Sequence, residues 1–173
     1  MLRTLVGVTR VKRIANLENV HDIGIIFNVG SEREWNMLYS FVREMEQQKK
    51  RVFLIGFQAD KQEIDYIFSH AQTSIMHEKE DLNFFRIPKD EVCEAFTHRH
   101  YDLLVDLTED HAFFARYIAV RSLSDLKVTY LCDNSPMPAY HDQIFDLIIH
   151  GAKPFDIPSF IAEIRRYLGM IKK

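Results

Sequence analysis

Residues 98–120 read HRHYDLLVDLTEDHAFFARYIAV, and the fold turns on how this stretch is divided. The run YDLLVDL (101–107) is continuous rather than alternating in its apolar residues, the pattern of a parallel strand covered on both faces. Thr108 follows as a candidate N-cap, and Phe113, Phe114, Tyr117 and Ile118 recur at helical spacing, which predicts a helix over 109–122. His98 and His100 then fall at the amino end of the strand and His111 beyond its carboxyl end. A strand of this length, at ~3.3 Å per residue, holds those ends about 20 Å apart, so one ion with ~2 Å zinc–nitrogen bonds cannot reach all three histidines. Neither a metal site nor a cofactor is expected.

Four more runs have the same character: DIGIIFN (22–28), RVFLIGF (51–57), KVTYLC (127–132) and DLIIH (146–150), with a weaker sixth, NFFRI (83–87), that stops at Pro88. Helical periods lie between them. In 31–48, Trp35, Leu38, Val42 and Met45 form one stripe behind a Ser31–Glu34 capping box. Asp60 with Glu63 is a second box, opening a shorter helix that carries Ile64, Ile67 and Phe68. Residues 90–98 offer Val92, Ala95 and Phe96, and a last helix behind Pro158 presents Phe160, Ile161, Ile164, Leu168 and Ile171. Strand–helix alternation predicts a three-layer, doubly wound, mostly parallel α/β sheet of five to six strands, Rossmann-like. With NFFRI as third strand the order is 3-2-1-4-5-6. Stretches 70–82 and 133–144 read as irregular, 1–20 as a basic N-terminal arm or helix, and 21–173 as a single domain.

Twenty-two basic and 25 acidic residues in a chain of 173, net −3, argue against nucleic-acid binding. Two distant cysteines, Cys93 and Cys132, read as small buried apolar residues in a reducing, cytoplasmic compartment. The arm carries Arg3, Arg10, Lys12 and Arg13 with no acid through Leu17, enough for weak contact with anionic lipid. Its apolar piece LVGV is too short for a signal peptide, and no run approaches a membrane span.

In such a sheet, ligands sit beyond the carboxyl ends of the strands at the switch point, here between strands 22–28 and 101–107. The candidate ligand-facing residues are Asn28, Gly30 and Ser31 on one lip and Asp106, Thr108 and His111 on the other, with Asp133 and Asn134 in the turn-rich loop DNSPMPAYHDQ, which also carries Tyr140 and His141, nearby. A carboxylate at a strand end, Asp106, either faces the crevice or bonds the backbone that opens the next helix. NVGSEREW holds one glycine, so no dinucleotide cradle is present, and Glu32 and Glu34 would repel an anion at the helix start. No Gly-x-Ser-x-Gly elbow occurs. Gly151 reads as a tight-turn glycine.

The runs FNVGSEREWNMLYSFVREMEQQKKRVFLIGF, LNFFRIPKDEV, YDLLVDLTEDHAFFARYIAVRSLSDLKVTY and FDLIIHGAKPFDIPSFIAEIRRYLGMIKK together resemble a family of small uncharacterised bacterial α/β proteins. More distantly, YDLLVDL with its helix and SLSDLKV is similar to the amino-terminal lobe of heptosyltransferase-type glycosyltransferases, which implies a Rossmann-like lobe. With no recognisable catalytic set, the leading expectation is a non-catalytic domain binding a small molecule or protein at the carboxyl edge, and able to pair as a homodimer. The alternatives are a glycosyltransferase-like or nucleotide-dependent lobe, with Asp106 or His111 as base, that needs a partner, and a peripheral membrane protein held by the arm.

Overall fold

The computed structural model describes residues 10–59, 64–108, 113–152 and 154–171. Six strands, β1 (Asp22–Asn28), β2 (Arg51–Gln58), β3 (Thr73–His77), β4 (His100–Asp106), β5 (Leu123–Cys132) and β6 (Leu147–Gly151), form one parallel sheet in the order 3-2-1-4-5-6. The continuous apolar runs have their reason here, because successive strand residues enter two different cores. Ile23, Ile25 and Phe27 pack with α1 (Glu32–Gln47), while Ile26 packs with the opposite layer. In β4, Leu103 and Val105 join the first core and Tyr101 and Leu104 the second.

The first layer holds α1 and the last helix, Ile157–Gly169, whose Asp156 N-cap accepts from Ser159 N at 3.0 Å. The second holds helices Asp90–Thr97, Phe113–Arg121 and the short His141–Ile144. In chain order, counting the single turn Glu78–Asp81 as α2, these are α3, α4 and α5, and the last helix is α6. Trp35 is buried between Phe27, 5.8 Å away, and Tyr39, which stacks on it at 5.5 Å.

The order 3-2-1-4-5-6 is as expected, but its third strand is not. NFFRI is a turn closed by an isolated antiparallel bridge from Leu82 to Pro88, and the strand is TSIMH, inside the stretch read as irregular. As an edge strand with Met76 as its one fully buried residue, β3 has too little apolar content to stand out. Likewise 133–144 contains α5. Asp60 and Glu63 lie outside the described residues, and the chain after them forms a 3-10 turn, Tyr66–Ser69. Gly151 ends β6, where a Cβ would stand 2.4 Å from Tyr130 Oη, so close approach rather than a turn demands glycine.

The basic arm is not a uniformly solvated tail. Arg10 is nearly buried, donating to Ser124 O (2.9 Å), Asp125 O (3.1 Å) and the Asp146 carboxylate (2.5 Å), which Lys12 also approaches at 3.1 Å. Burial alone would raise Asp146, but bonds from Arg10, the Lys127 amide and Lys12 hold its carboxyl below the usual range. Lys127, buried in β5, donates to Ala119 O at the end of α4, and burial, reinforced by Arg10 and Lys12, lowers its pKa to about 7 against the pull of Asp146. Cys93 and Cys132 are free and buried, and burial pushes the Cys93 thiol up.

Candidate functional site

The switch point is built by divergence of two neighbouring strands. β1 and β4 stay in register from Ile23↔Leu103 to Ile26↔Asp106. Then Val29 N follows β2, donating to Phe57 O at 2.8 Å, while Leu107 N makes the last bond across, to Ile26 O at 2.8 Å. Asn28, Gly30 and Ser31 therefore form one lip and Asp106 with Thr108 the other. Asp133 and Asn134 lie one strand further along, where Asp133 N donates to Gly151 O and Asn134 takes a left-handed φ of 59° inside a turn. His111 lies outside the described residues, as do Glu109 and Asp110.

On the first lip the helix start is already occupied. Glu34 Oε2 accepts from Ser31 N (2.7 Å) and Ser31 Oγ (2.9 Å), and Ser31 Oγ accepts from Glu34 N (3.3 Å), a complete capping box. The carboxylate lies over Gly30 so closely that a Cβ there would meet Oε2 at 2.1 Å. Tyr66 Oη donates to Gly30 O at 2.7 Å, and its phenol is pushed up by burial first and then by Glu32, Glu34 and Asp65. A phosphate approaching this helix N-terminus meets a negative field.

On the second lip Asp106 is fully buried, and its Oδ1 accepts from Thr108 N (2.9 Å) and Thr108 Oγ1 (2.7 Å). This closes an Asx-type turn, so one carboxylate oxygen holds the chain where it leaves β4. Thr108 is itself buried, with its hydroxyl committed to Asp106. The described part of the following helix begins at Phe113.

Other polar clusters are likewise internal. His100 Nε2 sits 2.9 Å from Asp125 Oδ1, and His98 Nδ1 is 3.4 Å from Glu94, both at the amino end as expected. His70 bridges Glu46 (3.0 Å) and Thr73 (2.9 Å) in an acid–imidazole–hydroxyl chain. That chain straps β3 to α1, since Thr73 shares the face of its register partner Leu54, which packs in the α1 core. A groove of about 840 Å³ between α1 and α6 is lined in part by Arg165, which is tied to Glu44 and lies over the Phe41 ring. Among the described residues no group of three His, Cys, Asp or Glu could hold a metal ion, and no helix is long and apolar enough to cross a membrane.

Sequence reasoning missed the most exposed apolar feature of this edge. Phe84 is 95% and Phe85 74% exposed, their rings edge-to-face at 5.4 Å. They cap a tightly built turn: Asn83 Oδ1 accepts from Phe85 N (2.9 Å) and Ile87 N (3.0 Å), Arg86 N donates to Asn83 O (2.8 Å), and Arg86, at φ 58°, pairs with Glu78. Two adjacent phenylalanines look alike in a sequence whether they are core or tip. His141, in the turn-rich loop, is fully buried against Phe145 at 4.7 Å.

The parallel six-stranded sheet and its closed switch point describe a domain that comparison with known proteins places in a family. The chain belongs to DUF6913, a family of unknown function. The match runs over residues 4–171 and so includes both lips and the Phe84–Phe85 turn. No curated protein matches.

Proposed function

We propose that the chain is a non-catalytic recognition domain that captures a protein partner at the carboxyl edge of its sheet, with the Phe84–Phe85 turn as its anchor. The observation that carries this is two phenylalanine rings held almost wholly in water by a turn with its own hydrogen-bond scaffold. Exposed aromatics on a rigid support bind with little ordering cost, and aromatic anchors dominate interface energies. The turn follows β3 and the helical turn α2, and β3 lies two strands from β1 in the sheet. Residues 78–91 hold five acids against three bases, which suits a partner pocket with a basic rim and disfavours an anionic lipid surface. The internal bonding of Glu34 and Asp106 supports a scaffold at the lips rather than a catalytic pair. Two free buried thiols accord with a reducing, cytoplasmic-type compartment.

The test is a partner trapped by a photo-crosslinking residue at position 84, then purified and titrated against the whole chain. Phe84→Ser/Phe85→Ser should raise its dissociation constant ~100-fold or more, equivalent to about 2.7 kcal/mol. A partner that binds this variant as tightly as the wild type removes the turn from the interface. Crosslinking of the chain only to itself would make the partner a second copy, checked by molecular mass in solution.

A further inference from the structure

The two terminal segments of the chain carry a charge unlike the rest of it. Residues 1–17 hold four bases and residues 165–173 four more, with no acid in either, whereas the residues between them hold 14 bases against 25 acids. The fold brings the two segments together at the amino end of the sheet. Asn16 Nδ2 donates to Ile171 O at 2.8 Å, just beyond the end of α6. On its other side the arm is fixed by Arg13 N, which donates to Asp125 O at 3.1 Å, and by Arg10 on Ser124 O. Ion pairs account for some of the bases, Arg10 with Asp146, Arg165 with Glu44 and Arg166 with Glu163. Lys12 touches Asp146 yet keeps a side chain that is 63% exposed, and Arg13 is exposed.

Apolar side chains are interleaved with these bases. Ala15, Leu17 and Ile171 pack on the first core, so the fold itself accounts for them. It does not account for Val11 and Ile14, which the same arm holds 67% and 76% exposed, or for Met170, beside the Asn16–Ile171 bond and 70% exposed. Tyr167, one turn earlier on α6, is 39% exposed. A single exposed apolar residue is ordinary on any protein surface. Here four of the eight large apolar side chains left exposed among the described residues fall in two short segments that are tied to each other, and that concentration marks a contact surface.

We infer that this amino-end surface binds an anionic lipid bilayer, with Lys12 and Arg13 at the headgroup phosphates and Val11, Ile14 and Met170 in the apolar layer beneath them. Aliphatic side chains set between bases match the boundary between headgroups and acyl chains, where charge and apolar surface are met together. A nucleic-acid backbone matches the charge alone, and Tyr167 is the one aromatic ring on this surface to stack on a base. The acid excess of the remaining chain is repelled by the same leaflet, which turns the carboxyl edge and its Phe84–Phe85 turn away from the lipid. The inference is therefore independent of partner capture at that edge.

The experiment is flotation of the whole chain with vesicles of phosphatidylcholine containing ~30% phosphatidylserine, compared with pure phosphatidylcholine and with a double-stranded DNA oligonucleotide as a polyanion that has no apolar layer. At ~0.1 M salt the chain should bind the anionic vesicles at least ~10-fold more tightly than pure phosphatidylcholine, and Arg13→Glu should remove ~10-fold or more of that affinity. Val11→Ser/Ile14→Ser should weaken vesicle binding by ~10-fold with the melting temperature unchanged, because both side chains are exposed. A solvatochromic dye on Ile14→Cys, selective because Cys93 and Cys132 are buried, should shift to the blue on anionic vesicles and stay unshifted on DNA. No flotation with anionic vesicles, equal affinity for pure phosphatidylcholine, tighter binding to DNA, affinity unchanged in Val11→Ser/Ile14→Ser, or an unshifted dye at saturating lipid would each overturn the inference.

Discussion

At the carboxyl end of the sheet Glu34 and Asp106 close hydrogen bonds on chain two or three residues away, while at the amino end Lys50 and Arg10 reach across the sequence. Lys50 Nζ donates to Leu17 O (2.8 Å) and Val20 O (2.7 Å), and Arg10 pairs with Asp146 at a separation of 136 residues. The difference follows from the winding. Helices of a doubly wound fold begin at the carboxyl edge, where exposed N–H groups favour carboxylates, and end at the amino edge, where exposed C=O groups favour cations. Caps at helix starts come from the next few residues, but a helix end that faces the next strand is met by whatever that strand or a distant arm supplies. The acids at the helix starts are thus mostly scaffold, whereas the amino end mixes signs, Arg10 with Asp146, Arg51 with Asp22 and His100 with Asp125, and a group stands out as functional only where neither a cap nor an ion pair accounts for it.

Lys127 is the strongest way to break that comparison. Its folded pKa of about 7 lies below the unfolded value, so between roughly pH 7 and 10.5 the unfolded chain binds the extra proton and stability rises with pH. The full swing is on the order of 3–5 kcal/mol, present above pH 10.5 and lost as pH falls towards 7. Lys127→Met should therefore be more stable than the wild type at pH 6, by about 2 kcal/mol, and no more stable at pH 10, where a neutral amine still donates to Ala119 O. Urea unfolding at both pH values reads this directly. A pH-independent difference would show that the buried ammonium stays charged as a counterion to the end of α4.

Asp106→Ala should come next. It strips the acceptor from two buried donors of Thr108 and should cost about 3 kcal/mol, or roughly 6–12 °C in Tm for a domain of this size. Asp106→Asn keeps a carbonyl oxygen and should cost less. A loss below about 1 kcal/mol for Asp106→Ala would mean that the carboxylate does not hold the turn, and would return it to the ligand-facing role.

Smaller still is the capping box. Ser31→Ala should cost about 1 kcal/mol. Gly30→Ala drives a Cβ into Glu34 Oε2 and should cost a similar amount, and the double variant should cost little more than either, because all three residues serve one cap. Additive losses would separate Gly30 from the box.

The same asymmetry explains what could be read in advance. The Ser31–Glu34 box, the Asp106 turn and the other five strands rest on neighbours in sequence, and each has a local signature. β3 escapes because an edge strand with one buried residue has no pattern to show, and NFFRI imitates it because apolar density does not say which side faces water. Arg10 on Asp146, Lys50 on Leu17 and Val20, and Arg99 on Phe53 are tertiary facts between distant residues, invisible to any window along the chain. Of the candidate lip residues, Asn28, Gly30 and Ser31 sit where the chain leaves β1 and Asp106 and Thr108 where it leaves β4, and the groups that made Ser31 and Asp106 look chemical are the ones that hold the turns.

The Phe84–Phe85 turn should show the smallest effect on stability, and that is its significance. Rings exposed to 95% and 74% contribute almost no buried area, so Phe84→Ser/Phe85→Ser should leave the unfolding free energy within about 0.5 kcal/mol, measured in urea. Asn83→Ala, by contrast, removes the acceptor for Phe85 N and Ile87 N and should loosen the turn while keeping both rings. If partner affinity falls in both variants, the anchor works through presentation as well as through its apolar surface. If it falls only when the rings are removed, the scaffold is incidental and the pair acts as a flexible apolar tip. Should the serine variant instead destabilise the domain by about 2 kcal/mol, the rings would be packing partners within the chain, and the carboxyl edge would hold no feature beyond what the helix dipoles require.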